Sequence, residues 1–363
     1  MTHPSATRTA RLRDLLEGLR LDGVLVTDPV DVRYLSGFRG DDATLVVGRA
    51  AALLCTDSRF WEQVREEVRE VELSRVTSEP LLEHSAHEVR RVLGSGARLG
   101  YQGAQLSHAA YRTLRRVHDG PLRDVGRAVT RLRVVKDEAE LALLRRAAAV
   151  TDEALGRVVA RGLVGRSERD VAWDLRAEYH RLGAEGEAFA AIVAAGDHAA
   201  QAHALPGERV IRAGELVVID TGARVEGYCS DITRTYAAGE PRDELRRVYD
   251  VVLAAQLAGL AAVRAGAHGR TDVDAAARAV IAAAGHGDDF GHGTGHGVGL
   301  EVHEAPSLGR ARGDRLEAGM VCTVEPGVYI PGVAGVRIED TVLVTADGCE
   351  RLTVSPKELQ VVG

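Results

Sequence analysis

Long apolar runs are missing from this sequence. The longest, such as Leu216–Ile219 ahead of Asp220, fall far short of the roughly 20 residues that span a bilayer, so no membrane segment is expected. The N-terminal residues carry arginines with no apolar stretch behind them, which omits the central feature of a secretory signal. The expected location is cytoplasmic. Cysteine is scarce: Cys55, Cys229, Cys322 and Cys349 lie far apart with no C-x-x-C pair, which disfavours a disulfide framework and a structural zinc site. They are expected to be reduced and mostly buried. Lysine is nearly absent, with Lys136 and Lys357 against 44 arginines among 46 basic residues. Neither lysine follows a glycine, so there is no Walker A loop, and G-x-S-x-G and H-E-x-x-H are missing too. The run GHGTGHGVG satisfies G-x-G-x-x-G in no register, which removes the one argument for a dinucleotide. A net charge of −7 argues against nucleic acid or an anionic membrane as the main partner.

What is present is a soluble, globular composition, 45% hydrophobic and 27% charged over 363 residues, a length for two domains. From Gly23 to about Val117, short β-type runs (GVLVT, TLVVG, ALLCT, ARLGY) alternate with helical patterns such as LLEHSAHEVRRVL, as in a small α/β domain. The pattern lapses after Gly120 and resumes at Lys136, where Asp137 and Glu140 read as a capping box. The boundary is therefore placed at 130, giving domains 1–130 and 131–363. In the second, a helix starting near Asp137 and another from Ser167 to about Leu182 precede strands near AFAAIVA, ELVVIDTG and YCSDITRTY. Helices follow from about Arg242 to Arg264 and Thr271 to Ala284, and then a β-rich end. Such segregation indicates an α+β layer packing.

The chemistry lies in paired acids. Asp220 ends LVVID and Asp231 sits in SDITRT, with Ala223 to Gly227 between them reading as a hairpin turn. A turn centred between Val225 and Glu226 sets the aspartates directly opposite, and a one-residue shift sets them diagonal; both leave them on one face. Glu325 in TVEPG and Glu339 in VRIED stand opposite each other in a hairpin centred on Gly332, although Pro326 interrupts the first strand. For each acid alone, a turn or strand-end role is an equal explanation. Two acidic pairs in apolar surroundings are harder to explain as structure, because buried carboxylates are rare unless paired or metal-bound. Three histidines, His292, His296 and His303, fall in GHGTGHGVGLEVHE. Four carboxylates and one imidazole suit manganese, iron, cobalt or zinc, and four negative charges suit two divalent ions better than one.

VVIDTG, SDITRT eleven positions on, GTGHGVGLEVHE, TVEPG and GVRIED together resemble the metal-dependent pita-bread peptidases, most of all the prolidase and aminopeptidase P branch. The likeness runs from about Thr130 to the end, and the N-terminal α/β domain resembles the creatinase-type one that precedes the catalytic domain there. The resemblance implies two divalent ions per subunit, manganese foremost with cobalt or zinc as alternatives, held by Asp220, Asp231, His296, Glu325 and Glu339. It makes Glu325 a candidate general base, His303 a substrate-binding and proton-transfer histidine, and His203 a second active-site histidine, with His292 lining the proline side of the pocket. It also implies a homodimer and short proline-containing peptides as substrates. Arg337 shares a strand face with Glu339 by parity, so it either holds a substrate carboxylate or orients a metal ligand. Asp197 and His198 stand where a proline–asparagine pair is common in the family, which bears on the shape of the substrate loop.

The expected activity is hydrolysis between an N-terminal residue and proline, as an Xaa-Pro dipeptidase. The alternatives are an Xaa-Pro aminopeptidase acting on longer peptides, a methionine aminopeptidase sharing the five ligands, and a non-catalytic peptide-binding scaffold. The additional domain and the histidines His203 and His303 favour the prolyl branch, and five retained ligands disfavour the scaffold.

Overall fold

The computed structural model describes residues 4–363; the first three residues of the expected 1–130 domain lie outside them. The chain divides into two compact units, one ending at Arg133 and the other beginning at Val134. Among the described residues, no helix is long and apolar enough to cross a membrane.

The first unit comprises α1 (Pro4–Gly18), β1 (Gly23–Val26), α2 (Pro29–Ser36), β2 (Thr44–Gly48), β3 (Ala52–Thr56), α3 (Trp61–Glu67), β4 (Glu72–Arg75), α4 (Leu81–Leu93), β5 (Leu99–Tyr101), α5 (His108–Val117) and β6 (Leu122–Asp124). The strands form one mixed sheet in the order β4-β3-β2-β1-β5-β6. Every residue of β1, β2 and β3 is buried, the mark of strands covered on both faces. Local signals set the helix ends: Asp28 caps α2 through its side chain, Pro29 occupies the first turn, and Gly37 closes it at φ 82°, where a Cβ is unfavourable.

The second unit opens with α6 (Glu138–Val159), held by the expected capping box: Asp137 accepts from the Glu140 amide at 2.9 Å and Glu140 accepts from the Asp137 amide at 2.9 Å. Then follow α7 (Glu168–Arg181), β7 (Gly186–Glu187), β8 (Ile192–Ala195), β9 (Glu215–Thr221), β10 (Ala223–Val225), β11 (Tyr228–Cys229) and β12 (Ile232–Ala238). Next come α8 (Asp243–Ala262), a π-helical turn over Gly269–Asp274 and α9 (Ala275–Ala283). The C-terminal strands are β13 (Gly295–Gly297), β14 (Glu304–Leu308), β15 (Val321–Val324), β16 (Gly327–Ile330), β17 (Ala334–Arg337), β18 (Asp340–Val344), β19 (Cys349–Arg351) and β20 (Val361–Val362). The helix expected from Thr271 thus begins as a π turn, and the expected Ala223–Gly227 turn is mostly strand.

Two sheets carry the site, in the orders β20-β12-β9-β8 and β14-β13-β15-β18-β19. One core packs Leu155, Val171 and Leu175 of α6 and α7 on Val193, Val217 and Ile219. Another packs Val252, Ala255, Ala277 and Ile281 of α8 and α9 on Leu216, Val336 and Ile338. Burying each large aliphatic side chain contributes about 1.5–3 kcal/mol, enough to hold the acidic strand faces in place. Cys55, Cys229 and Cys322 are buried and Cys349 partly so, all four as free thiols.

Candidate metal centre

Asp220 lies near the end of β9 and Asp231 just before β12. In the ladder Asp220 pairs with Thr233, so Asp231 is two residues off and the two carboxylates are diagonal. The hairpin tip sets this register: Val225 pairs with Tyr228, leaving Glu226 and Gly227 as a two-residue turn with φ 47° and 80°, the left-handed pair of a type I′ turn. The second acidic pair follows the expected register. Gly327 pairs with Arg337 and Val324 with Asp340, so Glu325 and Glu339 occupy opposed positions in the gap between two strand pairs. Their own amides turn elsewhere: Glu325 N–H donates to Thr294 O at 2.7 Å and Glu339 N–H to Thr233 O at 3.1 Å. Each glutamate is thereby tied to a segment beside another candidate ligand, His296 in one case and Asp231 in the other.

The donor atoms converge. One ligand atom each of Asp231, His296 and Glu339 lies within 4.8 Å of the others. His296 Nε2 is 3.2 Å from Glu325 Oε1 and 3.6 Å from Asp231 Oδ2. His296 Nδ1 faces Gly297 O at 3.1 Å, so Nδ1 donates to that carbonyl, and Nε2, on the carboxylate side, is the atom that can give up its proton to offer a lone pair. Two threonines hold the acids: Thr323 Oγ1 accepts from His296 N–H and donates to Glu325 Oε1, both at 3.1 Å, and Thr233 Oγ1 donates to Glu339 Oε2 at 2.7 Å.

Burial, followed by the charges of Glu339, Asp220 and Glu325, holds the Asp231 carboxyl well above its usual range. Burial with Glu325 and Asp220 does the same to Glu339. For Glu325 burial acts in the same sense but is outweighed by the His296 hydrogen bond and charge together with the charges of His292 and Arg337, which hold the carboxyl at about 2. His296 is reciprocally raised against the effect of its own burial.

The donor set fits a metal. Asp220 Oδ1 and Glu339 Oε1 are buried without a hydrogen-bond partner, while the other oxygen of each is engaged. Leaving a buried acceptor unsatisfied costs about 1–3 kcal/mol and more for a charge, and divalent cations relieve that cost directly.

Arg337, expected either to grip a substrate carboxylate or to orient a ligand, is only 3% exposed. Its Nη2 donates to Asp220 Oδ2 at 2.6 Å, Nε to Thr233 Oγ1 at 3.1 Å, and Nη1 to Tyr329 Oη at 2.7 Å and Ala202 O at 3.2 Å. A guanidinium so committed presents no open fork. Of the two expected roles, these contacts favour the ligand-orienting one. His292 is reached through Tyr329, whose hydroxyl lies 2.8 Å from Nε2 while Nδ1 faces Gly293 O at 2.7 Å. Nδ1 therefore donates and the tyrosine hydroxyl donates to Nε2. Burial lowers the His292 pKa, in keeping with a neutral ring. His303 is exposed overall, with its ring centroid 4.2 Å from that of His296, and partial desolvation of the ring with the His296 charge lowers its pKa. His203 is exposed in the segment ahead of β9, and its charge acts on both His292 and His303.

Tyr329, Thr233 and Thr323 escaped the sequence reading. Parity was the available signal: Thr233 shares a face with Asp231, and Tyr329 with Glu325.

The model of metallopeptidase family M24 matches residues 142–346, and that of the creatinase/prolidase N-terminal domain matches residues 8–135. An Xaa-Pro dipeptidase of Pyrococcus furiosus is 34% identical over 97% of this chain and 99% of its own length. Among solved structures, the Xaa-Pro dipeptidase from Bacillus anthracis superposes with a TM-score of 0.94 at 38% identity, covering 99% of this chain and 100% of that one. The X-Pro aminopeptidase from Thermotoga maritima does so with a TM-score of 0.90 at 33% identity, covering 98% and 100%.

Proposed function

The chain belongs to metallopeptidase family M24, and from that premise we propose that it is an Xaa-Pro dipeptidase, hydrolysing the bond between an N-terminal residue and proline. The observation that carries the metal dependence of this reading is the pair of orphaned buried oxygens, Asp220 Oδ1 and Glu339 Oε1, in a cluster that includes Asp231, His296 and Glu325. These five residues would hold two divalent ions, manganese foremost and cobalt or zinc as alternatives. Such ions supply Lewis-acid polarisation of a carbonyl and lower the pKa of water toward about 7.

The chain's own residues supply the rest. Glu325, with Thr323 fixing Oε1, takes the proton of the attacking water as general base. The proline nitrogen carries no hydrogen in the peptide and leaves as a secondary amine, so it needs a proton at that atom, and His303 beside His296 is placed to bring it. His203 anchors the substrate from the segment before β9, and His292, held neutral by Gly293 O and Tyr329, lines the pocket for the proline ring. Arg337 keeps Asp220 oriented.

A second reading, an Xaa-Pro aminopeptidase for longer peptides, is favoured by one observation: Arg337 is fully engaged within the protein, so it does not select for a free proline carboxylate. The dipeptidase reading rests on the relatives named above. We further propose a homodimer, to be checked by light scattering.

Metal content by elemental analysis, together with hydrolysis of Ala-Pro and Ala-Pro-Ala before and after chelation, tests the function. Two equivalents of metal, activity abolished by chelation and restored by manganese, cobalt or zinc, and preference for the dipeptide are expected. Full activity in metal-free protein refutes the metal reading, and equal cleavage of the tripeptide transfers the protein to the aminopeptidases.

A further inference from the structure

His203 stands exposed in the segment Gly196–Gly207, between β8 and β9, and the segment has a mount of its own. Glu168, the first residue of α7, is 0% exposed. Its Oε1 accepts from Ala195 N–H at 2.9 Å and its Oε2 from Gly207 N–H at 3.3 Å, so one carboxylate grips both ends of the segment. His198 Nδ1 lies 2.9 Å from both oxygens. Further along, the chain passes so close to β17 that a Cβ on Gly335 would sit 1.8 Å from Ala199 O. Ala202 O, beside His203, accepts from Arg337. Asp197 turns outward to Arg209 at 3.0 Å, and Arg209 also grips Glu215.

A buried carboxylate accepting three N–H donors is a rigid anchor, because charge-assisted hydrogen bonds are shorter and about twice as strong as neutral ones. His198 contributes one of the three and is itself 24% exposed at its side chain. It can therefore be changed without opening the core.

We propose that Glu168 and His198 are positioning residues that set the placement of His203, with His198 serving as a fixed donor to the buried carboxylate. This rests on the reading of His203 as a substrate-binding residue. The pair touches no substrate; it acts through the segment it holds.

Steady-state kinetics of the metal-loaded enzyme on Ala-Pro provide the test. His198→Ala should raise KM about tenfold, the worth of one hydrogen bond to a charged group, with kcat nearly unchanged. His198→Asn retains an N–H donor and should restore KM. Glu168→Gln turns an amide toward backbone donors and should lose more, while the bound metal stays stoichiometric in all three. In a His203→Ala background the His198→Ala effect should vanish. If instead it persists there, or if asparagine is no better than alanine, or if kcat and metal content fall together, the positioning role is overturned. Wild-type kinetics in His203→Ala alone would refute the substrate role of His203, and the proposal with it.

Discussion

Replacing Arg337 by methionine separates the two roles that parity left open. The change keeps an unbranched apolar side chain but removes donors to Asp220 Oδ2, Thr233 Oγ1, Tyr329 Oη and Ala202 O. Removing one partner of a buried ion pair costs about 3–5 kcal/mol, because the remaining charge is left uncompensated. For a unit of this size each kcal/mol moves Tm by about 2–4 °C, so chelated protein should melt on the order of 6–20 °C lower. Metal should recover part of that loss by compensating Asp220. In kinetics, loss of a partner that orients a metal ligand typically costs about 10–100-fold in affinity or activity. Because the loss arises at Asp220, kcat/KM for Ala-Pro and for Ala-Pro-Ala should fall by the same factor. Thermal melts with and without chelator, and rates on the two peptides, are the assays. If the dipeptide alone loses activity and Tm holds, Arg337 reaches the substrate carboxylate and the geometry has been misread.

Glu325→Gln keeps the shape and the acceptor facing Thr323 but removes the base, so turnover should drop by about 10²–10⁴; near-normal turnover assigns the base elsewhere. The raised carboxyls of Asp231 and Glu339 also make a pH prediction. Their native pKa values lie above the ordinary 3.8 and 4.5, so the folded metal-free chain holds protons that the unfolded chain has released. Their stabilising contribution is complete below the ordinary values and is lost as pH rises through the native ones. Tm of chelated protein should therefore decline across that window, whereas metal binding, which needs deprotonated ligands, strengthens with pH. Melting curves with and without metal should diverge as pH rises, and parallel curves refute the coupling.

How far these features were legible depended on what fixed them. The Glu325–Glu339 register followed from a single symmetric turn around Gly332, and the same register continues on both sides of Pro326. The aspartates were readable only to within one residue, because choosing between direct and diagonal pairing required knowing that Glu226 adopts a left-handed conformation. Parity placed Arg337 on the correct face but carried no information about depth, and depth decides whether a guanidinium meets substrate or another side chain. Glu168 was invisible as a site residue because its partners include backbone amides of an aperiodic segment. The capping box at Asp137 was readable because donors and acceptors there lie three residues apart.

The amides of Glu325 and Glu339 tie the two acid-bearing strands to neighbouring segments through backbone bonds alone. Those bonds survive any side chain at either position, whereas the carboxylates themselves repel and leave oxygens unpaired. Shedding those two glutamates would therefore leave the architecture standing and end the repulsion among the acids, whereas Asp220 stays tied to the buried Arg337. A lineage with no use for hydrolysis has an easy path to a quieter, sturdier protein of the same shape. This chain carries all four acids and the histidine among them, a burden with a physical rationale where divalent ions are bound there and put to use.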